Sequence, residues 1–213
     1  MTTVYLIRHA QAEGNANHFM QGNMETAITP TGYRQIAALR ERFAAVAVDA
    51  VYSSDLRRAV ETAEAVGKPK GLPVLTDRAF READVGVWEG RSTGDIAQND
   101  PEQFDAFLHR MDLWRVEGGE TPQQVLDRFL PALERVRREN EGKTAVIVSH
   151  GYALRIVLAH LRGLTLREIG DFVPCVNTAV SKVTWENGTP AVEYQDDGSH
   201  WSGQKQSADW WRE

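Results

Sequence analysis

A single cysteine, Cys175, stands in 213 residues. One thiol cannot form an internal disulfide, and no Cys or His neighbours it at the spacing of a zinc site, so neither a disulfide framework nor a thiolate-held metal organises this chain. Long apolar runs are missing as well. No stretch approaches the roughly 20 residues that a membrane span requires, and the first residues enter a short apolar segment at once, without a signal-peptide pattern. The expectation is a cytoplasmic protein with no membrane partner. Positive charge is scarce: 24 Lys and Arg stand against 30 Asp and Glu, for a formal net charge of −6. No basic stripe is long enough to track a phosphate backbone, which argues against nucleic acid as a partner. Any bound anion must then be small and met by a few local cations. The 42% of hydrophobic residues is enough, over this length, for one domain with a full core.

Two segments share one grammar. The apolar run Val4 to Ile7 ends abruptly in Arg8 and His9, and the run TAVIV around Val146 to Val148 ends in Ser149, His150 and Gly151 before the helical stretch YALRIVLAHL. Short apolar runs bounded by polar residues read as buried strands of a parallel sheet covered by helices on both faces. In open α/β sheets the ligand lies beyond the carboxyl ends of the strands. One histidine ending a strand is ambiguous; two in the same setting point to a reactive centre. If the strands are neighbours, His9 and His150 face one another with Arg8 beside them, an adjacency that spacing leaves open.

Between these segments, Ala12 to Glu25 reads as a polar loop over the sheet edge, carrying Asn15, Gln21 and Gly22. Thr29, Pro30 and Gly32 open a helix with Ile36, Leu39, Phe43 and Val46 inward. A short strand, Ala50 to Tyr52, is followed by Ser53, Ser54 and Asp55, residues suited to capping the next helix, DLRRAVETAEAVG. That helix begins with Arg57 and Arg58. Cations at a helix N-terminus cost about 0.3–1 kcal/mol each, whereas a charge-assisted hydrogen bond to an anion contributes roughly 1.5–3 kcal/mol. A bound phosphate would more than offset the mismatch; two solvated surface arginines fit the segment equally well, and periodicity does not say which arginine points inward. Residues 72 to 76 form a third strand. The loop AFREADVGVWEG then offers Arg81, Glu82, Asp84 and Glu89 around Trp88, and a carboxylate beside an indole suits a general acid, although solvated surface acids are commoner.

Residues 93 to 119 read as a helical insertion, a lid whose Phe104, Phe107 and Trp114 influence substrate choice. A long amphipathic helix follows from Thr121 to Glu141, with Gly142 as its stop. TAVSKVTWE and TPAVEYQ, joined by Asn187-Gly188, form a hairpin of edge strands. From Gly198 the tail is polar apart from Trp201, Trp210 and Trp211, and docks on the body or on a second copy in a homodimer. The expected organisation is a single domain over 1–197, a three-layer α/β/α sandwich with a mainly parallel sheet and a short lid insertion, followed by a tail over 198–213.

LIRHAQAEGN, SSDLRRAVETA, READVGVWEG and VSHG, in this order, resemble the four signature segments of the histidine phosphatase superfamily, the phosphoglycerate-mutase-like fold, over about residues 3 to 185. The resemblance implies a catalytic domain in which His9 is the nucleophile that becomes phosphorylated, Arg8, Arg58 and His150 bind the transferring phosphoryl group, and Glu82 is the proton donor. Asn15 is implied as a further phosphate donor, and Gln21, Gly22 and Gly151 as substrate-binding residues. The family's helix arginine precedes Ala, which selects Arg58 over Arg57. Three positions depart from the family pattern, Arg-His-Gly followed by an acid and a Thr or Ser: Ala10 replaces the Gly, acceptable where φ is negative, Gln11 replaces the acid, and Ala12 lacks a hydroxyl that commonly touches phosphate, which implies weaker ground-state binding. The implied activity is phosphomonoester hydrolysis of a small phosphorylated metabolite, with no metal and no cofactor; a ligand motif such as His-Glu-x-x-His is missing around His9, His18 and His150. The alternatives are a cofactor-dependent mutase, for which the longer insertion and extra basic residues are not visible, and a weakly active fold used as a binding module, which fits poorly with reactive residues kept in all four segments.

Overall fold

Val4, Leu6 and Ile7, and likewise Ala145 to Val148, are fully buried, because both runs form central strands with a helical layer on either side. The computed structural model describes residues 1–170 and 175–202. Its strands are β1 (Thr2–Arg8), β2 (Ala50–Ser53), β3 (Val74–Thr76), β4 (Thr144–Ser149), β5 (Val180–Glu186) and β6 (Thr189–Asp197). Its helices are α1 (Glu13–Ala16), α2 (Pro30–Phe43), α3 (Arg57–Gly67), α4 (Thr93–Asn99), α5 (Pro101–His109), α6 (Pro122–Glu139) and α7 (Gly151–Leu161). The six strands lie in the order β3-β2-β4-β1-β5-β6. β3, β2, β4 and β1 are parallel, and β5 and β6 add an antiparallel hairpin beyond β1.

The period-two alternation of the central strands divides the core. Val4, Leu6, Ala145 and Ile147 face α6, α7 and the 93–119 insertion, while Ile7, Val146 and Val148 face α2 and α3. Each such side chain contributes roughly 1.5–3 kcal/mol on burial, and a one-residue slip of either strand would exchange the two faces. The register is set accordingly. Arg8 lies opposite Ser149 across β1 and β4, so His9 and His150 leave the sheet side by side at its carboxyl edge.

The helix signals hold at α2 and α6. Thr29 caps α2 by accepting from Gly32 N–H at 3.0 Å, and Thr121 and Gln124 form a capping box on α6. They fail at α3, whose N-cap is Leu56 without a side-chain cap. Glu25, from the loop before α2, accepts from the Arg57 N–H at 3.0 Å in place of the expected Ser53 to Asp55. Asp55 is instead held by Arg81, and Ser54 accepts from Leu56 N–H.

The 93–119 insertion differs from the expected lid. Phe104, Phe107 and Trp114 turn inward, and their rings pack with Trp88 and Tyr152; Phe107 stacks on Tyr152 with centroids 4.8 Å apart, and Trp88 lies 6.0 Å from Trp114. The stripe read as a substrate-facing surface is core. Phe107→Ala and Trp114→Ala should each cost about 3–5 kcal/mol of stability, measured by urea unfolding, and should shift activity on all substrates together. Unchanged unfolding midpoints with altered substrate preference would restore the lid role. The carboxylate at the Trp88 indole is also not one from its own loop: Nε1 donates to Asp100 at 3.0 Å. Among the described residues, no helix is long and apolar enough to cross a membrane. Trp210 and Trp211 lie outside the described residues.

Candidate active site

At the carboxyl edge of β1 and β4 the His9 and His150 rings stand with centroids 5.0 Å apart. His9 N–H donates to the Ser149 carbonyl at 2.9 Å, which continues the β1–β4 ladder one residue past the strand and fixes the backbone that carries this imidazole. The imidazole is oriented from below. Its Nδ1 lies 2.7 Å from the Ala10 carbonyl, a bond that requires the proton on Nδ1 and leaves the lone pair on Nε2. Burial pushes the His9 imidazole well below the ordinary histidine range, and Arg58 and Arg8 push it the same way. It is therefore neutral at neutral pH. His150 is fully buried, and among the described residues neither of its ring nitrogens has a partner. Burial lowers its protonation in the same direction, reinforced by Arg58. A buried imidazole with both nitrogens unsatisfied is costly unless a ligand completes it.

Two guanidinium groups supply the cations. Arg8, at the end of β1, donates from Nη1 to the Cys175 carbonyl. It lies against the first turn of α7, where a Cβ on Gly151 would sit 3.1 Å from Arg8 Nε; the glycine makes room for it. Arg58 is 1% exposed, and burial lowers its pKa to about 10, which still leaves it charged at neutral pH. Its Nη1 and Nη2 donate to the Met24 and Gly22 carbonyls at 2.6 and 2.7 Å, while its buried Nε has no partner. Gly22 takes the left-handed conformation, φ +46°, that presents this carbonyl. Arg57, by contrast, points to solvent and pairs with Glu61. Gln21 is buried on the same loop and accepts from Thr26 Oγ1 at 2.6 Å. Asn15 Oδ1 accepts from Ala12 N–H at 3.1 Å and from Asn177 Nδ2 at 3.3 Å, so its amide nitrogen is the group left to donate. Ala10 has no positive φ, and the replaced glycine leaves no backbone strain there.

The carboxylate of Glu82 sits at the N-terminus of α7. It accepts from Ala153 N–H at 2.9 Å, Tyr152 N–H at 3.2 Å and its neighbour Ala83 N–H at 3.0 Å. Its charge supports that of Arg58 across the pocket. The rival acids of the loop are engaged elsewhere: Asp84 accepts from Gly86 N–H, and Glu89 from Asn23 N–H. Among the described residues, no group of three or more His, Cys, Asp or Glu is placed to hold a metal ion.

The model of the histidine phosphatase superfamily (branch 1) matches residues 4–198. The chain belongs to that superfamily. Phosphoserine phosphatase 1 of Hydrogenobacter thermophilus is 29% identical over 186 residues, 87% of this chain and 88% of that one. "Probable phosphoglycerate mutase GpmB" of Salmonella choleraesuis is 30% identical over 164 residues, 77% of this chain and 76% of that one. Among solved structures, Bacillus stearothermophilus YhfR is 33% identical with a TM-score of 0.89, covering 94% of this chain and 99% of its own.

Several residues of this superfamily member's site carried no motif signal. Asn177 Nδ2 donates to the His9 carbonyl at 3.0 Å and to Asn15 Oδ1 at 3.3 Å, tying the His9 backbone to the loop that carries Asn15. Thr62, one turn after Arg58, donates to the Arg58 carbonyl at 2.7 Å and accepts from Ala10 N–H at 2.9 Å. Thr178, with φ +65°, directs its N–H at the Arg8 and His9 carbonyls. Cys175 contributes its carbonyl; burial pushes its thiol up to about 12, which keeps it an unreactive thiol.

Proposed function

We propose that this protein is a metal-independent phosphatase that hydrolyses small phosphomonoesters in the cytoplasm through a phosphohistidine at His9. The observation that carries the proposal is a neutral imidazole with its Nε2 lone pair available, buried between two arginines and facing a second imidazole that has no partner of its own. Phosphoryl transfer passes through a loose transition state and asks the protein mainly for positioning and for charge on the equatorial oxygens. Arg8 and Arg58 supply rigid cationic forks, His150 and the Asn15 amide nitrogen supply neutral donors, and Gln21, Gly22 and Gly151 shape the pocket around them.

The steps balance without a further reagent. His9 Nε2 bonds to phosphorus as the ester P–O bond breaks, and Glu82 gives its proton to the departing alkoxide. Water then attacks phosphorus, returns a proton to Glu82, and breaks the N–P bond to release phosphate. A relative named for phosphoserine supports a small phosphorylated metabolite as substrate class. The test is phosphate release from an alkyl phosphate by purified protein in excess chelator, without added bisphosphate. Sustained turnover is expected. Loss of activity restored by a divalent metal would overturn metal independence, and phosphate shuttling between substrate hydroxyls only when a bisphosphate is present would assign a mutase instead.

A further inference from the structure

Arg128 lies on α6, outside the phosphate pocket, yet all five of its N–H groups are spent on the loop that carries Glu82 and on one carboxylate beside it. Nη1 donates to the Ala79 and Arg81 carbonyls at 2.8 and 2.9 Å, and Nη2 to the Glu82 carbonyl at 2.8 Å. Nε and Nη2 hold the two oxygens of Glu120 at 2.7 and 2.8 Å. Glu120 in turn accepts from Asp84 N–H at 3.0 Å, and its own N–H donates to the Asp84 carbonyl at 2.9 Å. Carbonyls in an irregular loop have no ladder to satisfy them. Here one planar fork satisfies three of them at fixed spacing, which the compact ammonium of a lysine cannot reproduce.

We propose that Arg128, braced by Glu120, is the positioning residue of the proton donor. The inference rests on Glu82 as that donor. The Glu82 carboxylate is fixed to the N-terminus of α7, and its main chain is fixed to α6 through Arg128, so the acid is held between two helices of one layer. Arg128 makes no hydrogen bond to His9, His150, Arg8 or Arg58, but its charge is felt at the buried His150; Arg128→Lys keeps that charge, so its effect on turnover reports where Glu82 stands. A misplacement on the order of 1 Å at a reacting group can cost about 100-fold.

The experiment compares Arg128→Lys and Glu120→Gln with Glu82→Gln on two substrates, an alkyl phosphate whose leaving group needs a proton and a nitrophenyl phosphate whose leaving group does not. Arg128→Lys should lower turnover of the alkyl phosphate roughly 10-fold or more while leaving the nitrophenol burst within about 3-fold. Added to Glu82→Gln, it should bring little further loss on the alkyl substrate, because both act on one step. Equal losses on both substrates, or losses that multiply in the double variant, would reduce Arg128 to a structural residue and overturn the proposal. If Arg128→Lys does not fold, Glu120→Gln decides: it keeps the bonds to the three carbonyls and should show the same substrate split in smaller measure, and its absence overturns the proposal. If Glu82→Gln itself fails to separate the substrates, the donor assignment and the positioning role fall together; if it separates them and Arg128→Lys does not, only the positioning role falls.

Discussion

His9→Ala should leave a folded protein with no turnover and no attached phosphate, whereas the unaltered protein, mixed with substrate and quenched in alkali, should carry about one acid-labile phosphate. Phosphorus bound to imidazole nitrogen is lost in acid and kept in alkali; a phosphoserine or phosphothreonine behaves oppositely. A label that survives acid would move the nucleophile to a hydroxyl, and a label that persists in His9→Ala would move it to another residue. The expected effect is near total because, on the proposed mechanism, Arg8, Arg58 and His150 would hold a phosphate while the attacking nitrogen is that of His9 alone. Protonation adds a second measurable consequence. With its folded pKa depressed chiefly by burial, His9 should remain neutral as pH falls well below 6.5, the value at which an ordinary histidine takes up its proton. Its ring protons in a nuclear magnetic resonance titration should keep their neutral-form shifts there, and His9 alone should not impose an acid limb on activity near pH 6.5. A ring that titrates at its ordinary value would mean that the pocket is wetter than its burial implies.

The strand ends were the most legible part of the chain. A central parallel strand is buried on both faces, so Val4 to Ile7 and Ala145 to Val148 stand out as unbroken apolar runs, and the polar residues after them stand out as the edge. What spacing could not give was that β1 lies beside β4, since a contact across more than half the chain leaves no local periodicity. The same limit explains the corrections. Phe104, Phe107 and Trp114 present a helical apolar stripe whether they line a pocket or a core, and their packing on Trp88 and Tyr152 decides for the core. Leu56 caps α3 without a side-chain bond because Glu25 reaches in from another loop. Asn177 stands with Thr178 just ahead of β5 and belongs to no motif, and its bond to the His9 carbonyl exists only because β5 pairs with β1.

The two arginines at the start of α3 show how burial decides where periodicity does not. Arg57 stays exposed and pairs with Glu61 four residues on, an arrangement that water screens and that adds little to stability. Arg58 gives up water for two carbonyls of the 22–24 segment, and among the described residues its Nε has no partner. A buried cation so incompletely satisfied is unfavourable for stability. Its placement makes sense as preorganised charge for an anionic group, which is the role proposed for it.

Glu82→Gln should lower turnover of an alkyl phosphate by about 10²–10⁴-fold, the usual contribution of general acid catalysis, while changing the nitrophenol burst little. An alkoxide is a poor leaving group and departs readily only as the alcohol; a nitrophenolate leaves unaided. Glutamine is the informative replacement. Glu82 accepts from the Tyr152 and Ala153 N–H groups of α7, and alanine would remove both bonds, mixing lost catalysis with a loosened helix. Glutamine keeps the volume and one acceptor oxygen; turning its NH₂ toward one of those N–H groups forfeits a bond worth roughly 1 kcal/mol, a loss that unfolding measurements can subtract. Bursts must be compared as well as steady rates, because Glu82 also receives the proton of the attacking water, and hydrolysis of the phosphohistidine would slow for every substrate alike. Asp84→Asn and Glu89→Gln should alter neither quantity selectively, since their carboxylates serve the Gly86 and Asn23 N–H groups. Equal burst losses on both substrates in Glu82→Gln would remove Glu82 from the acid role and leave it as the anchor that joins the 79–84 loop to the N-terminus of α7.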